Sequence, residues 1–164
     1  VREQIEFIML GADVRRYHTI RTLVTETVGH HSHGVAALCL LLVRQPSANL
    51  LRAALLHDLA EHQTGDIPSP AKRQYGIGEQ VSALESELLD AAGLTLPLLT
   101  DAEERTLKLA DIAQGSLFCA QETRLGNEAM WTVYNRYLSY AESMLLVGLE
   151  RELFETIKDI ALED

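Results

Sequence analysis

Strand-type alternation is almost absent from this chain, which instead repeats apolar residues at spacings of three and four. An all-helical fold follows as the expectation. Proline and glycine are scarce, 4 and 10 in 164 residues, beside 47% hydrophobic and 23% charged side chains. That balance excludes a disordered chain and fits one globular domain over residues 1–164. The two cysteines, Cys39 and Cys119, sit in the apolar runs ALCLLLV and LFCAQ without the paired spacing of a thiolate metal site, which points to buried thiols in a reducing compartment. No apolar run nears the roughly 20 residues of a bilayer span, and the opening VREQIEFIML lacks the order of a signal peptide. A soluble, cytoplasmic protein without a membrane partner is expected.

Basic side chains are also few: 14 Lys and Arg against 24 Asp and Glu give a net charge of −10. The imbalance is uneven, with 5 basic and 4 acidic residues in positions 1–50 but 6 and 13 in positions 101–164. No contiguous basic stripe is available for a phosphate backbone, so nucleic acid is excluded as the main partner. The near-neutral N-terminal part can still receive a small anion.

Periodicity predicts a helix over about 4–11 and a second from Ser32 or His33 to just before Pro46. Ser47 is placed to cap a third helix that carries Leu50, Leu51, Ala54, Leu55 and Leu59 and stops near Gly65. The segment GDIPSPAKRQYGIG reads as a loop. A fourth helix spans about 79–92 before Gly93, and a fifth follows Thr100, where Thr-Asp-Ala-Glu forms a capping box. Leu107, Ala110, Gln114 and Leu117 mark one face of that fifth helix. The stretch 128–162 is expected to break at Gly148.

His57 and Asp58 stand side by side within an apolar helical pattern, AALL before and LAEHQTGDIP after. Burying an imidazole and a carboxylate costs several kcal/mol, of order of magnitude, unless partners compensate. A His–Asp hydrogen-bond network and a divalent ion both supply that compensation. Elsewhere lie the cluster His30-His31-Ser32-His33 and, downstream, Asp111 in the apolar segment from Leu107 to Ile112. Three helices converging on one ion would offer two imidazoles and two carboxylates, a donor set suited to zinc, cobalt, manganese or ferrous iron. Spacing alone does not choose among His30, His31 and His33.

With these residues the chain resembles the HD-domain metal-dependent phosphohydrolases, whose histidine, central His-Asp pair and later aspartate correspond here to His31, His57, Asp58 and Asp111. The match spans nearly the full length. Arg16-Tyr17, Thr27-Val28-Gly29-His30-His31-Ser32, His57-Asp58-Leu59-Ala60-Glu61, Gly65-Asp66-Ile67-Pro68 and Lys72 resemble the small 5′-deoxynucleotidases and, similarly, the phage dATP triphosphohydrolases. Those nucleotidases commonly carry an acidic residue where this chain has His30 and a tryptophan where it has Tyr17.

The resemblance implies a deoxynucleotide substrate and a homo-oligomer. In the phage case it implies dATP as substrate, magnesium accompanying the triphosphate and an infected host cell as the setting. Glu61, four residues after His57, is read as orienting or deprotonating the attacking water, or as a structural partner of the metal residues. Asp66 is read as a general acid or as support for a second cation. Arg16 offers a guanidinium fork and Lys72 a flexible charge to phosphate, with Arg15 and Arg73 extending the patch. Tyr17 stacks on a base or sugar or simply packs, while His18, Ile20 and the loop 68–75 shape the pocket. Trp131, Tyr134, Tyr137 and Tyr140 read as packing or subunit contacts.

The reading narrowly favours hydrolysis of dATP to deoxyadenosine and tripolyphosphate, ahead of a 5′-deoxynucleotidase acting on monophosphates. A noncatalytic nucleotide sensor and a structural helical protein with a buried polar network are the remaining alternatives.

Overall fold

A computed structural model describes residues 1–162, and among them it contains helices, turns and one isolated bridge between Arg15 and Thr27, with no strand. The helices are α1 (Arg2–Ala12), α2 (Val28–Leu42), α3 (Ala48–Leu56), α4 (Glu61–Thr64), α5 (Ser69–Tyr75), α6 (Gly78–Ala91), α7 (Asp101–Arg124), α8 (Met130–Ser143) and α9 (Gly148–Leu162). Among the described residues no helix is long and apolar enough to cross a membrane.

The longest helix, α7, is the axle. Its start is fixed by the expected capping box, in which Thr100 Oγ1 accepts from Glu103 N–H while the Glu103 carboxylate accepts from Thr100 N–H. Leu109, Ile112, Ala113, Phe118, Cys119 and Ala120 of α7 pack with Met130 and Tyr134 of α8 and Leu153, Phe154 and Ile157 of α9. Another side of α7 meets α2 and α3 through Ala110, Val35, Cys39, Leu50 and Ala54. A separate cluster joins Phe7, Val28, Leu59, Ala60, Leu89 and Leu94, fastening α1 and α6 to the start of α2. Cys39 and Cys119 are free and buried, as the apolar runs around them imply. Ser47 caps α3, its hydroxyl accepting from Leu50 N–H at 3.0 Å.

Three elements differ from the sequence reading. Helix α2 begins at Val28 rather than Ser32, because Thr27 in extended conformation offers its Oγ1 to His30 N–H. Helix α3 ends at Leu56 instead of running towards Gly65. The cause is local: the Ala54 carbonyl, next in the ladder, accepts from the His57 ring Nδ1 at 3.0 Å, and tighter bonds follow from Leu59 N–H to Leu56 O and from Glu61 N–H to Asp58 O. Finally, the segment read as a loop contains α5. Pro70 occupies its first turn, where a fixed φ and a missing N–H favour rather than break a helix, and Gly76 closes it with a left-handed φ of 63°.

Candidate active site

The residues singled out from sequence come from four places: His31 from the start of α2, His57 and Asp58 from the turn after α3, Asp111 from the middle of α7, and Glu61 from the start of α4. One ligand atom each from His31, His57 and Asp58 falls within a 4.8 Å set. His31 Nε2 lies 3.5 Å from Asp58 Oδ2 and 3.3 Å from Asp111 Oδ1, and His57 Nε2 lies 3.5 Å from Asp58 Oδ2. His31 is fully buried, whereas His30 and His33 are exposed. The early start of α2 is what turns His31 inward.

Both rings are held from behind. His57 Nδ1 gives its hydrogen to Ala54 O, and His31 Nδ1 meets Gln114 Oε1 at 2.5 Å. With Nδ1 donating, each ring turns Nε2 forward, and both Nε2 atoms are buried without a hydrogen-bond partner. These nitrogens and the Asp58 carboxylate form one cluster, with Asp111 beside His31, and a cation among them would balance its negative charge. The donor set fits a divalent metal, with ring nitrogens and carboxylate oxygens forward and hydrogen bonds behind.

Burial opposes ionisation of Asp58, but His57, Arg16 and His31 hold its carboxyl below the ordinary range. Asp111 also pays for burial, yet His31 and the Lys108 ammonium, 2.9 Å from its Oδ2, keep it well below that range. Glu61 behaves oppositely. The residue is 5% exposed, its Oε2 has no partner, and burial, followed by the charges of Asp58 and Asp66, pushes its carboxyl up to about 9.

Arg16 is buried and gives Nη1 to Asp58 Oδ2 at 2.8 Å, while its Nε lies 3.3 Å from Glu26 Oε2. Tyr17, in a left-handed conformation with φ 54°, stacks on Phe118 with ring centres 5.0 Å apart, and its hydroxyl meets the Tyr137 hydroxyl at 3.1 Å. Its backbone N–H donates to Asp66 Oδ2. His18 is half exposed, 4.0 Å from the same oxygen, and Lys72 Nζ lies 3.8 Å from Glu85 Oε1. Ile20 packs against the α7–α8–α9 core. Arg15 is exposed and bonds Thr22, and Arg73 is exposed and bonds Ser69.

Sequence reasoning missed Glu26, Lys108 and the inward role of Tyr137. It placed Gln114 on a helix face without a function. A signal existed for Gln114, since a carboxamide among Leu107, Ala110 and Leu117 needs a polar partner.

The sequence model of the family described as 5′-deoxynucleotidase YfbR-like matches residues 9–150. The chain belongs to this family. It is 32% identical over 138 residues to the 5′-deoxynucleotidase YfbR of Shigella boydii, covering 70% of this chain and 69% of that protein. It is 26% identical over 161 residues to the dATP triphosphohydrolase of cyanophage S-2L, covering 94% and 85%. In fold it is similar to the cyanophage S-2L HD phosphohydrolase solved with dA and one catalytic Zn2+ ion, with a TM-score of 0.71 at 18% identity over 97% of this chain and 96% of that one. It is likewise similar to the PH0347 protein of Pyrococcus horikoshii, with a TM-score of 0.68 at 20% identity and 98% coverage of both. This YfbR-like chain is an HD-domain phosphohydrolase, and its site performs metal-dependent hydrolysis of a deoxynucleotide phosphate.

Proposed function

We propose that the chain is a 5′-deoxynucleotidase that releases phosphate from deoxynucleoside monophosphates. The observation that carries this choice is the commitment of its cations. Arg16 is held by Asp58 and Glu26, Lys108 by Asp111, and Lys72 lies by Glu85, while Arg15 and Arg73 are exposed and bonded to hydroxyls. One phosphate would be shared by Arg16, Lys72 and a divalent ion. The larger charge of a triphosphate, near Asp58, Glu61, Asp66 and Glu85, would find beyond these only the exposed Arg15 and Arg73. The family match and the identity to the Shigella nucleotidase support the same reading.

His31, His57, Asp58 and Asp111 would hold the ion, and their mixed donors suit zinc, cobalt or manganese. Such an ion supplies Lewis acidity, which acidifies water and polarises a phosphoryl oxygen. Glu61, in its ionised form, takes the proton of the attacking water, its carboxylate standing beside the charges of Asp58 and Asp66. Asp66, fixed by Tyr17 N–H at the rim, gives a proton to the departing nucleoside oxygen. Arg16 Nη2, which has no partner among the described residues, and Lys72 draw the phosphate in. Tyr17, on its Phe118 backing, presents a flat ring to base or sugar, with His18 at the edge.

Hydrolysis of dATP to tripolyphosphate is the second reading, favoured by the 94% coverage of this chain in its match to the cyanophage enzyme. In that reading magnesium accompanies the substrate. Incubation with dAMP and dATP separates the two. Orthophosphate from dAMP, lost on chelation and restored by zinc, cobalt or manganese, is expected. Tripolyphosphate from dATP with inert dAMP overturns the monophosphatase. Self-association is proposed as well, on exposed apolar side chains of α1 such as Ile5, Met9 and Leu10.

A further inference from the structure

Behind the metal-facing residues runs a polar circuit of three hydrogen bonds joined by two close contacts. Arg16 binds Asp58 through Nη1 and faces Glu26 Oε2 through Nε; Glu26 Oε1 accepts from Gln114 Nε2 at 2.6 Å; Gln114 Oε1 meets His31 Nδ1 at 2.5 Å; and His31 Nε2 returns to within 3.5 Å of Asp58. The circuit has a direction. A carboxylate paired with Arg16 has only acceptors, so the Gln114 amide must point its NH2 at Glu26 and its oxygen at His31. His31 Nδ1 is then obliged to donate, and Nε2 is left with its lone pair forward.

The carboxamide also occupies space that the fold reserves for it. A Cβ on Gly34 of α2 would fall 2.8 Å from Gln114 Cγ, so only glycine there admits the side chain between α2 and α7. Glu26 is 5% exposed, and it sits just before the Thr27 cap whose placement turns His31 inward. Two residues outside the ligand set thus determine which nitrogen His31 shows and how the guanidinium lies.

We propose that Glu26 and Gln114 are positioning residues that lock His31 in its metal-presenting tautomer and join it, through the Glu26–Arg16 ion pair, to Arg16, so that metal capture and phosphate binding rest on one polar circuit. The inference builds on the phosphohydrolase reading but concerns the ion rather than the nucleotide.

The test is zinc affinity by competition with a chromophoric chelator, with nitrogen-15 NMR of the His31 ring in metal-free protein. Gln114→Met keeps length and shape but cannot accept from Nδ1. It is expected to fold, to lose zinc affinity by about 10- to 100-fold, and to move the His31 ring signals towards a tautomer mixture. Gln114→Glu sets two carboxylates against each other at the Glu26 contact and is expected to weaken zinc similarly. Adding Glu26→Gln to it restores a donor opposite an acceptor and is expected to recover most of the affinity. Parental zinc affinity and ring signals in folded Gln114→Met overturn the proposal, and so does a double variant as weak as Gln114→Glu alone. A parent that binds zinc with these dependences but hydrolyses no nucleotide would defeat the functional reading and leave this one standing.

Discussion

The Tyr17 backbone N–H donates to Asp66 Oδ2 at 3.1 Å, tying the loop after α1 to the turn at Gly65 across 49 positions of sequence. Asp66 thus has a structural task beside its proposed proton transfer, and isosteric replacement separates the two. Asp66→Asn can still accept from Tyr17 but cannot serve as the acid. It is expected to melt near the parent while losing about 100-fold or more in rate, the usual scale of general acid catalysis. Asp66→Ala should lose the rate and also several degrees in Tm. Full turnover by Asp66→Asn would remove Asp66 from the chemistry.

Glu61 sets a pH dependence in metal-free protein. Its folded pKa of about 9 lies above that of an exposed glutamate. Folding retains a proton that the unfolded chain releases, and stability from this group falls as pH rises from about 4 towards 9. Glutamine has no proton to lose. In chelator, melting curves of the parent and Glu61→Gln should coincide near pH 4 and separate upward, with the variant higher by several degrees at pH 8. Parallel curves across that range would refute the assignment.

How legible these features were depends on the distance of the cause. His57-Asp58 stood out because an imidazole and a carboxylate inside an apolar run demand compensation, and Thr100 and Ser47 announced their helices because capping is written within four residues. The end of α3 was obscured by a competition no periodicity records, the His57 ring displacing the ladder at the Ala54 carbonyl. The segment holding α5 reads as a loop from its Gly and Pro, because the effect of Pro70 reverses in a first turn. Glu26 and Gln114 are 88 positions apart, and they meet only when α2 and α7 pack.

Glu122 gives a prediction about the loop that carries Arg16 and Tyr17. Fully buried at the end of α7, it accepts from Leu23 N–H at 2.8 Å, Val24 N–H at 2.7 Å and Asn127 Nδ2 at 2.6 Å. Burial works against the charge, but these donors hold the carboxyl below its usual range. The resulting stability is present at neutral pH and is lost as pH falls through the folded pKa. Glu122→Ala strands those donors, at a cost of about 1–3 kcal/mol, and should lower Tm by roughly 3–10 °C at pH 7 with a smaller deficit in acid. An equal deficit at pH 7 and at pH 3 would show that the loss is packing alone.

Gly115 provides the closest check on how the aromatic wall is assembled. A Cβ at this position of α7 would lie 2.6 Å from Tyr137 Cζ and 2.9 Å from its hydroxyl oxygen, so α8 can seat Tyr137 beside Tyr17 only because residue 115 has no side chain. Gly115→Ala is expected to displace Tyr137, break its bond to Tyr17 and cost about 1–3 kcal/mol by overpacking, with a raised KM as the Tyr17 ring loses its support. The clash requires both partners, which makes the prediction testable by a cycle. Once Tyr137→Ala has cleared the space, adding Gly115→Ala should cost almost nothing in Tm. If the glycine substitution were equally damaging in both backgrounds, its effect would lie in the α7 backbone and not in the approach of Tyr137.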